Sequence, residues 1–262
     1  MRVVILCGGF GTRIREVADD IPKPMIPVGG LPILWHIMKQ YSHYNFNDFV
    51  LCLGYKAQVV KDFFLNYEAR TNDFTITLGN KGGIELHTSH DETGWKITAA
   101  DTGPDAMTGA RVRKIKKYIG NDENFMLTYG DGVSDIDLKA LMRFHEKHGR
   151  IMTVTGVRPP GRFGEITTDP SGLVHSFNEK PQVSGGRISG GFFVCRREVF
   201  DYLPDGDDLV LEQDPVVSLV RDKQLMVYEH EGFWHPMDTF RDYKYLNSLC
   251  EKGRAPWQVW RK

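Results

Sequence analysis

Short apolar runs alternate with stretches in which apolar positions recur every three or four residues, and this alternation organises the first half of the chain. Arg2 to Cys7 is a largely β-branched run closed by Gly8-Gly9-Phe10-Gly11, the pattern of a buried strand that feeds a functional turn. Pro22, Pro24 and Pro27 then exclude a helix, because proline lacks an N–H and restricts the residue before it. A long loop is therefore expected after the first strand. From Pro32 to His43, Ile33, Leu34, Ile37, Met38 and Tyr41 fall on one side of a helix, with proline near its first turn. Asp48 to Leu53 predicts a second buried strand, Lys56 to Tyr67 a second helix, and Phe125 to Tyr129 a further strand ending in Gly130-Asp131-Gly132. This βαβ rhythm predicts an α/β fold with a mostly parallel, doubly wound sheet and a ligand site at the carboxyl ends of its strands.

Between Phe74 and Ala100 the pattern shortens to alternating runs (Phe74, Ile76, Leu78; Ile84, Leu86) punctuated by Gly79, Gly82, Gly83 and Gly94, which predicts antiparallel strands and β-hairpin insertions. Met107 to Ile119 reads as one helix, with Val112, Ile115 and Ile119 inward and Arg111, Arg113, Lys114, Lys116 and Lys117 as a mostly solvated basic side. Ile151 to Val194 reads mostly as strands, with turns at Pro159-Pro160-Gly161 and Gly185-Gly186; helical spacing returns at Gln213 to Asp222 and Asp238 to Cys250. No repeat, low-complexity tract or Ser/Gly linker divides the chain, so residues 1–262 are expected to form one domain with insertions.

Composition narrows the classes. The 262 residues carry 33 Lys+Arg against 34 Asp+Glu, so no overall field draws the chain to nucleic acid or anionic lipid. With 41% hydrophobic and 26% charged residues, an ordinary core and a soluble exterior are both affordable, which argues against disorder. The longest apolar runs fall far below the roughly 18 residues of a membrane span. The apolar run behind Met1-Arg2 is too short for a signal-peptide core, so a cytoplasmic location is expected. Cys7, Cys52, Cys195 and Cys250 are scattered and read as reduced thiols rather than a disulfide frame or zinc site.

The chemistry begins at the glycine turn, where missing Cβ atoms let backbone N–H groups approach a phosphate. A dinucleotide site would need a third glycine and an immediate helix, where this chain has Ile14 and then the proline block; Gly-Lys-Ser/Thr, which a Walker A loop needs, does not occur. Two cations remain near the turn, Arg13 within it and Lys23 between Pro22 and Pro24, whose rigidity lowers the entropy of holding an ammonium at one point. Asp131 between two glycines suits a hard divalent cation. Asp238 is a second candidate carboxylate, with the N-cap of the following helix as its competing role.

Gly8-Gly9-Phe10-Gly11-Thr12-Arg13 followed by Pro22-Lys23-Pro24-Met25 closely resembles the signature of the sugar-phosphate nucleotidyltransferase family. Pro32 to Met38, Met107-Thr108-Gly109, Thr128 to Val133, Pro159 to Gly164, Gly190 to Val194, Gly232-Phe233-Trp234, Pro236 to Thr239 and Ala255-Pro256-Trp257 are similar to its cytidylyl branch, the glucose-1-phosphate cytidylyltransferases or CDP-glucose pyrophosphorylases. The resemblance runs nearly end to end. One departure is Ser189, which stands where the family usually carries asparagine.

The resemblance implies a Rossmann-like sheet, with a nucleotide part at about 1–130 and a sugar part at about 131–262. It implies CTP and a sugar 1-phosphate as partners, Mg²⁺ as cofactor on Asp131 and Asp238, and a homo-oligomer, a hexamer in the relatives. The nucleotide is expected to meet Leu6, Gly8, Gly9, Gly11, Thr12, Arg13, Lys23, Arg111, Gly130 and Asp131, and the sugar Glu165, Glu179, Lys180, Ser189 and Gly190. Arg13, Lys23 and Lys180 are implied as the catalytic cations.

Such a reaction joins two anions, which repel by about 1 kcal/mol per charge pair at 4 Å in water and by more in a drier site, so gathered positive charge is its first requirement. The attacking phosphate has a second pKa of about 6 and needs no side-chain base. The nine histidines, among them His36, His87, His145 and His235, therefore read as packing or surface groups, with an indirect role considered only for His235. An in-line displacement without covalent intermediate is expected. Three alternatives stay open: a pyrophosphorylase using dTTP, UTP, GTP or a modified hexose phosphate; a glycosyltransferase using Asp135-Ile136-Asp137; and a non-catalytic regulatory subunit.

Overall fold

The computed structural model describes residues 1–9, 21–79, 83–159, 165–171, 173–178 and 186–261, with the backbone alone at 165–168 and 176–178. The chain opens on β1 (Arg2–Leu6), in which Val3, Val4 and Ile5 are fully buried, as in a strand covered on both faces. A 3-10 turn at Lys23–Met25 and the two-residue strands β2 (Pro27–Val28) and β3 (Leu31–Pro32) lead into α1 (Ile33–His43). Pro32 is its N-cap, and Ile33, Leu34, Ile37, Met38 and Tyr41 form the buried side foreseen from their spacing. β4 (Asp48–Leu53) follows, then α2 (Ala57–Leu65) and α3 (Tyr67–Thr71). The single helix expected from Lys56 to Tyr67 divides at Asn66, whose side-chain amide donates to the Asp62 carbonyl at 2.8 Å and closes the first helix.

β5 (Phe74–Ile76) and β6 (Ile84–Leu86) form an antiparallel hairpin, as the alternation implies. β7 (Lys96–Asp101), expected among the hairpins, instead joins the central sheet parallel to β4, with Ala100 beside Cys52; Trp95 and Ile97 reach the core there. The helix expected at Met107–Ile119 is α4 (Thr108–Lys114) and α5 (Lys116–Ile119), broken at Ile115 (ψ 0°), a break that keeps Val112, Ile115 and Ile119 fully buried. β8 (Asn124–Tyr129), β9 (Gly132–Ser134), α6 (Leu138–His148) and β10 (Met152–Val157) follow. β11 (Glu165–Thr168) and β12 (Val174–Asn178) pair as a second hairpin, and the chain ends through β13 (Ile188–Arg196), α7 (Asp214–Arg221), β14 (Leu225–His230), β15 (Trp234–Pro236) and α8 (Phe240–Glu251).

The central sheet has seven strands in the order β14-β10-β13-β8-β1-β4-β7. Neighbours are parallel except at β13, which is antiparallel to both β10 and β8. Successive β1 residues feed opposite cores: Val3 and Ile5 pack with α1, α6 and α8, Val4 and Leu6 with α4, α5 and α7. The sheet is thus doubly wound, as expected. The order runs outward from β1 through β4 to β7 and then returns to β8 on the other side of β1. The crevice at the carboxyl ends of β1 and β8 is therefore the topological switch point, where such sheets bind ligands.

Two buried histidines give the fold an acid limit. His36 Nε2 lies 2.7 Å from the Val28 carbonyl and its Nδ1 accepts from Trp257 at 3.3 Å, an arrangement for the neutral ring. Burial, opposed by the Val28 bond and aided by Arg261, pushes His36 down to about 4; burial with His148 and Arg196 does the same to His145. Because both folded values lie below the ordinary 6.5, the unfolded chain takes up protons first as pH falls. This contribution to stability is complete above about pH 6.5 and is lost between there and pH 4. At pH 5 it removes about 2 kcal/mol per histidine. The expected result is a thermal midpoint that falls from pH 7 to 5, with the fall roughly halved in His145→Leu. A midpoint flat over that range would contradict it.

Candidate functional site

β1 ends at Leu6, and Gly8 and Gly9 follow at the mouth of the switch-point crevice, while β8 ends at Tyr129 and delivers Gly130-Asp131-Gly132 beside them. Gly130 donates to the Leu6 carbonyl at 3.0 Å, an approach that has no room for a side chain: a Cβ there would stand 2.9 Å from the same oxygen and 3.1 Å from Pro24. Pro236 of β15 pairs with Gly132 of β9, and Met237 N–H donates to the Asp131 carbonyl at 2.8 Å, so this short ladder carries Asp238 to Asp131. Lys23 Nζ then donates to Asp131 Oδ2 and to Asp238 Oδ1, both at 2.6 Å. One amine and two distant carboxylates meet at a point.

The helix-cap role considered for Asp238 falls to its neighbour. Thr239 caps α8 in a capping box with Asp242, whose carboxylate also accepts from the Asp238 N–H at 3.1 Å, leaving the Asp238 carboxylate for Lys23. Burial alone would lower the Lys23 amine, but the charge and hydrogen bonds of Asp131 and then Asp238 raise it above its ordinary value. The amine therefore stays cationic at neutral pH.

Two cavities meet at this cluster. One, of about 100 Å³, is lined by Leu6, Gly8, Gly9, Lys23, Thr108 and Gly130 among others. The other, of about 220 Å³, is lined by Ser189, Gly190, Gly191, Trp234 and Asp238 among others. Tyr129 and Asp131 line both. Gly191 (φ 75°) lies against the Tyr129 ring, where a Cβ would collide with it, and Trp234 Nε1 donates to the Gly190 carbonyl at 2.7 Å. Ser189 is exposed at the rim, its hydroxyl accepting from Gly191 N–H at 3.3 Å. Tyr129 and Trp234 stand in the quoted motifs without an assigned role; the aromatic residue just before Gly-Asp-Gly is the signal that marked the first.

Arg111, expected at the triphosphate, lies beneath the glycine turn. Its guanidinium donates to the Leu53, Gly103 and Pro104 carbonyls at 3.1, 2.9 and 3.1 Å and to Thr102 Oγ1 at 2.7 Å. It is 3% exposed, and Gly8 and Gly54 are the residues whose missing Cβ atoms make room for it. Burial lowers its pKa against the opposing pull of Cys52, Cys7, Asp101 and Asp105. Its charge underlies the turn from within the protein. Cys7 stands beside it, but burial first, then Cys52 and Asp131, pushes its thiol well up, so it is no nucleophile.

Phe10, Gly11, Thr12, Arg13, Glu179 and Lys180 lie outside the described residues, and Glu165 is placed only as the backbone start of β11. The acids of Asp135-Ile136-Asp137 have local duties: Asp137 caps α6 at Ala140 N–H (2.9 Å), and Asp135 accepts from Phe233 N–H (2.7 Å) and lies 3.0 Å from His230. His235 is buried against Phe233 and Tyr245. Among the described residues no group of three or more His, Cys, Asp or Glu side chains is arranged to hold a metal ion. Asp131 and Asp238 alone still fit a divalent cation such as Mg²⁺, which takes one or two protein carboxylates and completes its shell from water and phosphate oxygens.

The family model described as nucleotidyl transferase matches residues 2–252. The chain is 47% identical over 260 residues to a glucose-1-phosphate cytidylyltransferase of Salmonella typhi, covering 99% of this chain and 100% of the relative. It is 45% identical, with the same coverage, to a probable glucose-1-phosphate cytidylyltransferase of Bacillus subtilis. Among solved structures, HddC from Yersinia pseudotuberculosis complexed with GMP-PN shares the fold at a TM-score of 0.66 and 23% identity, over 96% of this chain and 99% of that one.

Proposed function

The chain belongs to the nucleotidyl transferase family, and from that premise we propose that it joins CTP to α-D-glucose 1-phosphate, forming CDP-glucose and releasing pyrophosphate. The observation that carries this reading is the meeting of Lys23, Asp131 and Asp238 at the wall between two cavities. The smaller cavity, edged by the Gly8 and Gly9 backbone, takes the nucleotide phosphates, and the larger takes the sugar phosphate. The sugar phosphate oxygen attacks the α-phosphorus in line while pyrophosphate leaves opposite, with no covalent enzyme intermediate. Lys23 is the cation at the reacting phosphates, joined by Arg13 and, on the sugar side, Lys180. Glu165, Glu179, Ser189 and Gly190 are the residues assigned in this reading to recognise the hexose.

Mg²⁺ held by Asp131 and Asp238 would neutralise charge on the triphosphate. The protein's own share is to bring both anions to the Lys23 amine and to orient them, an alignment that can supply up to about 7–11 kcal/mol of the barrier.

The chain acts as one unit, its nucleotide part at about 1–130 and its sugar part at about 131–262. The described residues hold no helix long and apolar enough to cross a membrane, in keeping with a cytoplasmic enzyme. A homo-oligomer accounts for the β5–β6 hairpin, where Phe74 opposite Leu86 and Ile76 opposite Ile84 form one apolar face, each 41–50% exposed. Sedimentation velocity that finds only monomer at micromolar concentration would remove that account.

The decisive assay supplies CTP and α-D-glucose 1-phosphate with Mg²⁺ and follows both products. Equal amounts of CDP-glucose and pyrophosphate are expected, with far less turnover on UTP, dTTP or GTP and none without divalent cation. Pyrophosphate released at the same rate without the sugar phosphate would overturn the reading.

A further inference from the structure

Tyr129 and Asp131 form the wall shared by the two cavities, and the Tyr129 phenol is held by a residue that lines neither of them. Glu212 lies just before α7 (Asp214–Arg221), next to the fully buried Leu211. Its Oε1 accepts the Tyr129 phenol proton and its Oε2 accepts the Thr108 hydroxyl at 2.7 Å. The approach of this segment to α4 is built into the backbone. Met107 N–H donates to the Asp207 carbonyl at 2.8 Å, Ala110 N–H to the Leu209 carbonyl at 3.1 Å, and Leu211 N–H to Thr108 Oγ1 at 2.9 Å. Gly109 has no Cβ because one would stand 2.8 Å from Leu209 and 3.1 Å from Leu211 N.

We propose that Glu212 is a positioning residue for both substrates, clasping Thr108 of the smaller cavity and Tyr129 of the wall so that nucleotide and sugar phosphate are held in register. This rests on the reaction proposed above. A carboxylate only accepts hydrogen bonds, so both hydroxyls must turn their protons toward it. The Tyr129 phenol is thereby removed as a donor to either phosphate, and its ring acts as a fixed partition. Gly191 packs directly against the same ring. The clasp thus joins residues on both sides of the reaction: Thr108 borders only the smaller cavity, Tyr129 both.

The test is a kinetic set on the full chain: Glu212→Ala, Glu212→Gln, Thr108→Val, Tyr129→Phe and the Glu212→Ala/Tyr129→Phe pair. Glu212→Ala is expected to raise KM for both CTP and glucose 1-phosphate, with kcat/KM down about 10- to 100-fold, the range for losing hydrogen bonds to a charged group. Glu212→Gln, which keeps one acceptor oxygen, should fall between Ala and wild type. Thr108→Val should raise KM for CTP alone, and Tyr129→Phe should raise both. In the Tyr129→Phe background Glu212→Ala should add an effect on CTP but little on the sugar phosphate. If Glu212→Ala does not fold, the Gln variant decides. Wild-type KM values in both Glu212 variants, or effects on the KM for glucose 1-phosphate that simply add in the double variant, would overturn the proposal. A wild-type enzyme that makes no CDP-glucose would instead overturn the reaction itself, so the two failures are distinguishable.

Discussion

Lys23→Ala is expected to lower kcat at saturating CTP and glucose 1-phosphate by roughly 10² to 10³, the range for removing one preorganised charge-stabilising donor from a water-poor site. Pro22 and Pro24 bracket the lysine within a 3-10 turn, and its amine is held between Asp131 and Asp238 at 2.6 Å from each. Removing it deletes the cation and leaves two carboxylates facing each other, so repulsion of the incoming phosphates rises. Lys23→Arg should not restore turnover, because a planar fork cannot replace a compact ammonium between two acids. The measurement is steady-state pyrophosphate release, with a thermal melt to show that the variants are folded. Wild-type kcat in a folded Lys23→Ala protein would remove the amine from the reaction.

The parts of this site that sequence reasoning reaches are those encoded locally. β1, β4 and β8 are nearly continuous apolar runs because both faces of the sheet are covered. α1 carries its start in Pro32 and its inward side in the spacing of Ile33, Ile37 and Tyr41. A ligand site at the carboxyl ends of the strands takes in the glycine turn after β1 and Asp131 after β8, while the strand order makes those two ends neighbours at the switch point.

What escapes is what depends on pairing at a distance. β7 is an edge strand with several exposed positions, so its alternation imitates a hairpin although it lies parallel to β4. The β9–β15 ladder has only three pairs, too short to leave a periodic signal, yet it alone brings Asp238 to Asp131. The cap of α8 was legible one residue along: threonine followed three later by an acid is the capping-box spacing, which assigns Thr239 and Asp242 and releases Asp238. Glu212 leaves no local trace, being one acid in an acid-rich segment from Asp205 to Asp214 whose partners are a hundred residues upstream in Thr108 and nearly as far in Tyr129.

Arg111→Ala is expected to lower stability by about 3 kcal/mol, since the buried side chain gives up its hydrogen bonds to three carbonyls and to Thr102 and a void opens under Gly8 and Gly54. For a chain of this size the thermal midpoint should fall by about 10 °C. Arg111→Lys should recover only part of it, because an ammonium cannot span four acceptors from one position. The functional loss follows from the same geometry. With the guanidinium gone, the Gly8 turn loses both its floor and the positive charge beneath the phosphates, so KM for CTP should rise in step with the fall in midpoint across Lys and Ala. A direct phosphate contact makes the opposite forecast: CTP affinity collapses while the midpoint stays near wild type. Calorimetric titration of CTP into each variant, set beside its melting curve, separates a guanidinium that builds the turn from one that grips the substrate.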